Sequence, residues 1–233
     1  MKQFDLLHSL KGQLIVSCQA LEEEPLYGSD IMAKLAIAAR RGGAAGIRAN
    51  TVEDIIEIKN VVDLPIIGII KHVYEDSEVY ITPTLKEIRA LHNIGVEIIA
   101  TDFTNRTRPN GIELVQFYEQ IRSEFPDQIF MADISTYEEG ILAEKLGMDI
   151  ISTTLSGYTN YSSQVDGPDL ELVNRLSKIV NIPVISEGKI YYPSQAKSAL
   201  DSGAYAVVVG GAITRPMEIT ERFIKEINGG KHK

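Results

Sequence analysis

A lysine and a glutamate each end an apolar run of this sequence, and together they could move a proton. Lys71 closes the run PIIGIIK, and Glu187 lies near the end of PVISEG. A buried lysine is costly unless it is paired or neutral, and a neutral lysine can act as a general base. Two plainer interpretations stay open. Lys71 could simply end a strand where the chain leaves the core, or it could form a structural salt bridge with Glu187.

The other apolar runs also end in residues that can hydrogen-bond or ionise. In chain order the ends are Gln19, Arg48, Lys71, Asp102, Asp133, Thr153 with Thr154, Glu187, and Gly210-Gly211. Arg48 and Asp133 are candidates for holding substrate hydroxyl groups or for orienting Lys71 and Glu187. Asp102 is predicted to tie down a neighbouring loop. One polar end would be ordinary, but eight that meet at one end of a fold indicate a functional site.

Glycines after the last two runs predict a phosphate site. Gly188 follows Glu187, and Gly210 with Gly211 begins the segment GGAITRP. Glycine lets backbone N–H groups approach a ligand closely, and Arg215 can hold phosphate through two hydrogen bonds. We expect GGAIT to begin a short helix whose N-terminus favours an anion. A glycine pair alone would indicate only a turn, but the combination with Arg215 favours phosphate.

The histidines and the single cysteine do not form a metal-binding pattern. The histidines are His8, His72, His92 and His232, and the sequence contains no H-x-H, no H-E-x-x-H and no cysteine pair. These spacings are the ones that zinc sites use, so we expect no metal. Cys18 is expected in the core, and His72 is expected in a loop.

Eight short apolar runs alternate with amphipathic segments of helical period. The runs are 13–19, 44–49, 65–71, 96–102, 128–133, 149–154, 183–188 and 206–211. Helix-ending glycines precede the even-numbered runs (Gly43, Gly95, Gly147 and Gly203), and prolines precede three odd-numbered ones (Pro65, Pro126 and Pro183). Runs that are apolar throughout suit parallel strands covered on both faces.

Eight such β/α units predict an α/β protein with a single (β/α)₈ TIM barrel, whose active site lies where the strands end. A doubly wound open sheet is the alternative, but no G-x-G-x-x-G follows the first run. No linker or composition break is visible, so we expect one domain over residues 1–233. The loop YTNYSSQVDGP, residues 158–168, is either part of a lid or a plain surface loop.

The composition is that of an acidic globular protein. The 233 residues carry a net charge of −9, with 44% hydrophobic residues and one cysteine. A nucleic-acid or anionic-membrane surface is therefore not expected, although local donors can still bind an anionic small molecule. The N-terminus shows no signal-peptide pattern, no run is long enough to span a bilayer, and no intrachain disulfide can form. We therefore expect a cytoplasmic protein.

Six segments, in order along nearly the whole chain, carry a family resemblance. They are IVSCQALEEEPLYGSDIMAKLAIAARRGGAAGIRANTVEDI, PIIGIIK, MADISTYEE, TTLSGYT, ISEGKI and VVGGAITRPMEIT. Together they resemble the N-acetylmannosamine-6-phosphate 2-epimerase family. The resemblance implies interconversion of N-acetylmannosamine 6-phosphate and N-acetylglucosamine 6-phosphate in sialic-acid breakdown, without metal or cofactor. It also suggests a homodimer.

The resemblance implies roles for six of the candidate residues. Its catalytic lysine and essential glutamate fall on Lys71 and Glu187, and its phosphate-binding arginine falls on Arg215. Its substrate-positioning residues fall on Gln19, Arg48 and Asp133. The strand ends themselves add Thr154 as a substrate-binding candidate, and Gly188, Gly210 and Gly211, beside Arg215, as phosphate-binding candidates. Neutral Lys71 would remove the proton from carbon 2, and Arg48 or other donors would stabilise the enolate oxygen. Glu187, Lys71 itself or a substrate hydroxyl group would return a proton.

Two other functions remain as alternatives. One is a different phosphate-binding barrel enzyme that uses Lys71 to form a Schiff base. The other is a catalytically silent protein that binds a phosphosugar through GGAITRP. The presence of both Lys71 and Glu187 argues against the silent protein, because a pure binder has no need for the pair.

Overall fold

Residues 3–229, which the computed structural model describes, form a closed barrel of eight parallel strands. The strands are β1 (Leu14–Cys18), β2 (Gly46–Asn50), β3 (Ile66–Ile69), β4 (Ile98–Asp102), β5 (Ile129–Asp133), β6 (Ile150–Ser152), β7 (Val184–Glu187) and β8 (Ala206–Val209). Each strand pairs with the next, and β8 pairs with β1 to close the ring. The predicted TIM barrel is confirmed and the doubly wound sheet is excluded. Seven of the eight predicted runs contain one strand each, and β2 extends one residue beyond the run 44–49. His232 lies outside the described residues.

One helix precedes the first strand, and a helix follows each of the eight strands on the outside of the barrel. They are α1 (Gln3–Leu10), α2 (Ser29–Arg41), α3 (Val52–Lys59), α4 (Leu85–Asn93), α5 (Leu114–Glu124), α6 (Tyr137–Leu146), α7 (Leu170–Ser177), α8 (Pro193–Asp201) and α9 (Pro216–Ile227). A 3₁₀ turn lies at Pro109–Gly111. In the described part of the chain, no helix has the length and apolar character needed to cross a bilayer.

The first helix, α1, was not predicted and closes the bottom of the barrel. Its side chains Leu6 and Leu10 are buried in the same cluster as Ile15, Ile67 and Ile98 from the strands. With eight residues it is too short to show a clear helical period in the sequence.

Local hydrogen bonds explain where several helices begin and end. Thr84 and Thr136 begin α4 and α6, each with a glutamate three residues later that bonds back to the cap. Thr51 caps α3 by accepting from the backbone N–H of Asp54. Gly147 ends α6 with φ of 90°, a left-handed conformation that glycine adopts at little cost.

The two-residue period of the strands aims the candidate side chains inward. In β5, Ile129 and Met131 lie in the barrel interior, and Asp133 continues the same face at the carboxyl end of the strand. On β3 the inward residues are Ile67 and Ile69, and the next position on that face is Lys71. The apolar layers thus form a floor beneath the polar strand ends.

Asp102, at the end of β4, holds the loop that follows it. Its carboxylate accepts hydrogen bonds from the backbone N–H and the hydroxyl of Thr104, at 3.0 and 2.7 Å. It also forms an ion pair with Arg106 at 2.5 Å. The predicted role of Asp102 in tying down a loop is confirmed.

Candidate active site

A cavity of about 330 Å³ opens at the carboxyl ends of the strands. Nine of the ten candidate residues line it: Gln19, Arg48, Lys71, Thr154, Glu187, Gly188, Gly210, Gly211 and Arg215. The barrel therefore brings together residues that are up to 196 positions apart in the chain, counted from Gln19 to Arg215. The remaining candidate, Asp133, lies behind this lining.

Lys71 is held in place through its backbone, and its amine is directed into the cavity. Its backbone N–H donates to the side chain of Asn50 at 2.8 Å, and the residue forms an antiparallel bridge with Ile81. Among residues 3–229, its Nζ makes no hydrogen bond and no ion pair. Burial lowers the pKa of Lys71 to about 8, and the positive charges of Arg215 and Arg48 contribute. A large neutral fraction near pH 8 makes this amine a usable base.

The salt bridge between Lys71 and Glu187, one of the two plainer interpretations, is not formed. Glu187 instead accepts a hydrogen bond from Nη1 of Arg48 at 2.9 Å. The same Oε2 atom accepts from the hydroxyl of Thr154 at 3.2 Å. Burial raises the pKa of Glu187, and the charge of Asp133 adds to this, whereas Arg48 acts in the opposite direction.

Arg48 is the centre of a buried charge cluster. Its guanidinium donates to both carboxylate oxygens of Asp133, at 3.1 and 2.6 Å, in addition to Glu187. Its side chain is 1% exposed. Burial disfavours its positive charge, but Asp133 and Glu187 together raise the pKa of Arg48 above the usual value. The Nε–H of Arg48 is buried and has no partner among residues 3–229, so within that range the cluster keeps one unused donor.

Asp133 does not reach the cavity surface. Its side chain is 0% exposed, and its contacts are to Arg48 and to the hydroxyl of Thr154, at 2.6 Å. Of the two roles that the sequence left open, this placement favours orientation of the other groups over contact with substrate. Gln19 does line the cavity, where its amide donates to the hydroxyl of Ser17 at 2.8 Å.

The glycine segments and Arg215 form the other end of the cavity. The expectation that GGAIT begins a helix is wrong. The N–H groups of Ile213 and Thr214 close a turn on the carbonyl of Gly210, at 2.8 and 3.0 Å, and α9 begins only at Pro216. The reason is that a residue before proline is pushed out of the helical region, and Arg215 has φ of −119° and ψ of 79°.

The structure adds cavity residues that the sequence reasoning missed. Tyr80, Tyr158, Lys189 and Glu218 all line the cavity. Two of them lie close in the sequence to predicted site residues, which could have indicated them: Lys189 follows Gly188, and Glu218 lies three residues after Arg215. Tyr80 lies at the end of the loop between Lys71 and Ile81, and no sequence pattern singled it out.

The long loop after β6 forms one wall of the cavity. Tyr158 lines it, and the amine of Lys189 lies 5.4 Å from the centre of the Tyr158 ring. The same amine donates to the carbonyl of Val165 at 3.1 Å. The loop is thus attached to the residue after Gly188, a closer connection to the site than a plain surface loop would have.

Within residues 3–229, no group of three or more His, Cys, Asp or Glu side chains is arranged to hold a metal ion. His72 lies in the loop after β3, with its ring 4.6 Å from that of Tyr74. Cys18 is fully buried in the core, as predicted.

Comparison with known proteins identifies relatives over most of the chain. Residues 32–229 match the model of the family described as "Putative N-acetylmannosamine-6-phosphate epimerase". A Caldanaerobacter subterraneus subsp. tengcongensis protein named "Putative N-acetylmannosamine-6-phosphate 2-epimerase" is 55% identical, over 95% of this chain and 94% of its own. A Clostridium perfringens protein of the same name is 58% identical, over 94% and 98%.

Solved structures agree with this assignment. The N-acetylmannosamine-6-phosphate 2-epimerase from Clostridium perfringens superposes with a TM-score of 0.90 at 57% identity, covering 94% of this chain and 95% of that one. A thiamine phosphate pyrophosphorylase from Pyrococcus furiosus, at 18% identity and a TM-score of 0.60, shares the fold alone. The chain is an isomerase and belongs to the N-acetylmannosamine-6-phosphate 2-epimerase family.

Proposed function

We propose that this protein interconverts N-acetylmannosamine 6-phosphate and N-acetylglucosamine 6-phosphate by removing and returning the proton on carbon 2. The observation that carries the proposal is the unpaired amine of Lys71, with its pKa lowered to about 8, in a cavity that ends at Arg215. An amine of this kind is a base for a weakly acidic carbon, and an arginine with glycines is a suitable phosphate anchor.

The first half of the reaction forms an enolate. Carbon 2 of the open-chain sugar is next to the aldehyde carbonyl, so its proton can leave while the electron pair moves to the carbonyl oxygen. Neutral Lys71 takes the proton and becomes an ammonium group. The guanidinium of Arg48 lines the cavity and is fixed by two carboxylates, which makes it a preorganised partner for the developing oxyanion.

The second half returns a proton to the opposite face of carbon 2, which inverts that centre. Three groups are candidates: Glu187, Lys71 itself and a hydroxyl group of the substrate. The raised pKa of Glu187 makes its protonated form accessible during the cycle. Asp133 and Thr154 act by orienting Arg48 and Glu187. No step needs a metal or an organic cofactor.

The phosphate end supplies binding energy away from the reacting carbon. Arg215 and the backbone at Gly188, Gly210 and Gly211 would hold the phosphate and place carbon 2 near Lys71. Such remote binding positions the reacting carbon beside the base.

We place the reaction in the cytoplasmic breakdown of sialic acid and amino sugars, catalysed by one domain over residues 1–233 that assembles as a homodimer. The family resemblance supports the pathway and the dimer. The single cysteine suits a reducing compartment. The net charge of −9 argues against nucleic acid or an anionic membrane as a partner.

The direct test is incubation with N-acetylmannosamine 6-phosphate in D₂O without added metal or cofactor, followed by proton NMR. We expect N-acetylglucosamine 6-phosphate with deuterium at carbon 2. The epimer without deuterium would keep the activity but require a shielded group to return the proton. If neither sugar changes, the proposal fails, and the silent phosphosugar-binding protein becomes the function to examine.

Borohydride separates proton abstraction from Schiff-base chemistry. Reduction during turnover should leave Lys71 unmodified, because the proposed base never bonds to the sugar carbon. Mass spectrometry that finds a sugar adduct on Lys71 would assign the lysine to Schiff-base catalysis.

A further inference from the structure

The carboxylate of Glu218 occupies the phosphate end of the cavity. Glu218 lies in the first turn of α9 and lines the cavity with Arg215 and Gly211. Its Oε1 accepts a hydrogen bond from Nη1 of Arg215 at 2.8 Å. Its Oε2 lies over the Cα of Gly211, so close that a side-chain carbon on this glycine would clash with it.

A phosphate group cannot share this position. The open face of Gly211 and the guanidinium of Arg215 are the features that would receive phosphate, and the Glu218 carboxylate contacts both. Glu24 takes the other terminal nitrogen of Arg215 at 3.0 Å. Arg215 therefore already has two anionic partners, and a phosphate that approached it would meet like charges at close range.

Arg222 offers the Glu218 carboxylate a second partner on the same helix. Its Nη1 is 3.9 Å from Oε2 of Glu218. The Arg222 side chain is itself fixed, because Nη2 donates to the carbonyl of Gly211 at 3.0 Å and the guanidinium lies 5.0 Å from the ring centre of Tyr191. Residues four apart on a helix are neighbours, so a rotation of the Glu218 side chain is enough to exchange Arg215 for Arg222.

We propose that Glu218 is an internal competitor of the substrate phosphate. Its carboxylate binds Arg215 in the free enzyme and moves to Arg222 when a phosphate enters, so this residue sets the affinity for every phosphorylated ligand. The inference rests on the proposed function only in taking Arg215 and Gly211 as the phosphate end. Because substrate, transition state and product all carry the phosphate, Glu218 changes KM and leaves kcat nearly unaltered.

The test compares wild type, Glu218→Gln and the control Glu226→Gln, which removes the same charge from an exposed position near the other end of α9. The dissociation constant for inorganic phosphate is measured by calorimetry, and KM and kcat with N-acetylmannosamine 6-phosphate. We expect Glu218→Gln to tighten phosphate binding and lower KM roughly three- to tenfold, with kcat and the control unchanged. Unchanged or weaker phosphate binding in Glu218→Gln would mean that Glu218 only positions Arg215, and would overturn the proposal.

A second comparison tests the transfer to Arg222. Arg222→Gln should weaken phosphate binding in the wild type and have little effect in the Glu218→Gln background. Equal weakening in both backgrounds would show that Arg222 contacts phosphate directly and would overturn the exchange. Phosphate calorimetry needs no turnover. A wild type that binds phosphate but does not epimerise the sugar would refute the proposed function. The phosphate affinities of the variants would still confirm or refute the role of Glu218.

Discussion

Arg48 and Asp133 form a two-point ion pair beneath the cavity, with nitrogen–oxygen distances of 3.1 and 2.6 Å. Both side chains are shut off from solvent. The nitrogen that makes the longer bond also donates to Glu187, so a single guanidinium fixes two carboxylates. The position of Glu187 is thus set by Arg48, and Lys71 is left free to meet a substrate.

Replacement of Asp133 by asparagine tests this arrangement. The amide keeps one acceptor but directs an NH₂ group at the guanidinium, so Arg48 loses one hydrogen bond and one countercharge. We expect kcat to fall about 100-fold, because a small displacement of a positioned group is costly. The melting temperature should also fall, since a buried charge loses a partner. Kinetics and thermal unfolding give both quantities.

Asp102→Asn is the matched control, since Asp102 is an equally buried carboxylate at a strand end that lies outside the cavity lining. This variant should lower the melting temperature and leave kcat much closer to the wild-type value. A kcat for Asp133→Asn within about twofold of wild type would refute the orienting role of Asp133.

The lowered pKa of Lys71 predicts how the rate depends on pH. The neutral amine is the active form, so kcat/KM, which reports the free enzyme, should rise with pH and level off above about 8. The sugar phosphate is already a dianion above its second pKa of about 6, so profiles between pH 6.5 and 9 report the enzyme. A flat profile over this range would exclude Lys71 as the base whose protonation limits turnover.

The same shift predicts that Lys71→Met is more stable than the wild type at pH 7. Below pH 8 the lysine is charged in both the folded and unfolded states, and burial of that charge destabilises the fold. Between about 8 and the unfolded value of 10.5, the unfolded state binds more protons, so wild-type stability rises with pH. The advantage of Lys71→Met should therefore shrink across this window.

Chemical denaturation at pH 7 and at pH 10 measures the effect of Lys71→Met, and its activity should be lost at both. Lys34→Met, on the exposed face of α2, is the control and should show no such pH-dependent advantage. A Lys71→Met variant that is less stable than wild type at pH 7 would show that the folded state favours the charged amine.

The sequence predicted the eight-stranded barrel and most of the residues at the carboxyl ends of its strands. It did not predict which of these side chains form hydrogen bonds and ion pairs with one another. The eight apolar runs predicted that Lys71, Arg48 and Glu187 lie at one end of the barrel, because all parallel strands of a barrel end at the same face. That Glu187 pairs with Arg48 and not with Lys71 depends on distances across the barrel, which no local pattern encodes. The contact between Arg215 and Glu218 depends on where α9 begins, and the GGAIT expectation placed a helix start too early.

Arg215→Ala should chiefly raise KM. Hydrogen bonds to a charged group contribute about 1.5–3 kcal/mol, so we expect KM to rise roughly 10- to 100-fold with a smaller change in kcat. Removal of this cation also removes one cause of the low pKa of Lys71, so that pKa should rise in the variant. KM and kcat should therefore be measured at pH 9, where less of the amine is protonated. Arg40→Ala, an exposed arginine on α2, is the control. An unchanged KM would remove Arg215 from the phosphate site.

The exposed apolar residues of the last helix, α9, lead to a prediction about the oligomeric state of the protein. No residue of α9 is buried, although Phe223, Ile224 and Ile227 are apolar and 67%, 52% and 75% exposed. A continuous apolar face of this kind on a helix marks an interaction surface, and the proposed homodimer would cover it. Light scattering should then give twice the chain mass of 25.7 kDa for the wild type.

Phe223→Glu combined with Ile227→Glu should convert this dimer to a monomer, because each buried carboxylate would lack a partner in the interface. Lys225→Glu changes the charge by a comparable step on the same helix without removing an apolar side chain, and it should remain dimeric. A wild type that elutes at the mass of a single chain would refute the dimer. A dimer that survives the double substitution would place the interface on another surface of the barrel. Whether the protein is a monomer or a dimer also affects the active site, because α9 carries Glu218 and Arg222. A monomeric variant with an altered KM would show that dimer formation fixes the phosphate end of the cavity.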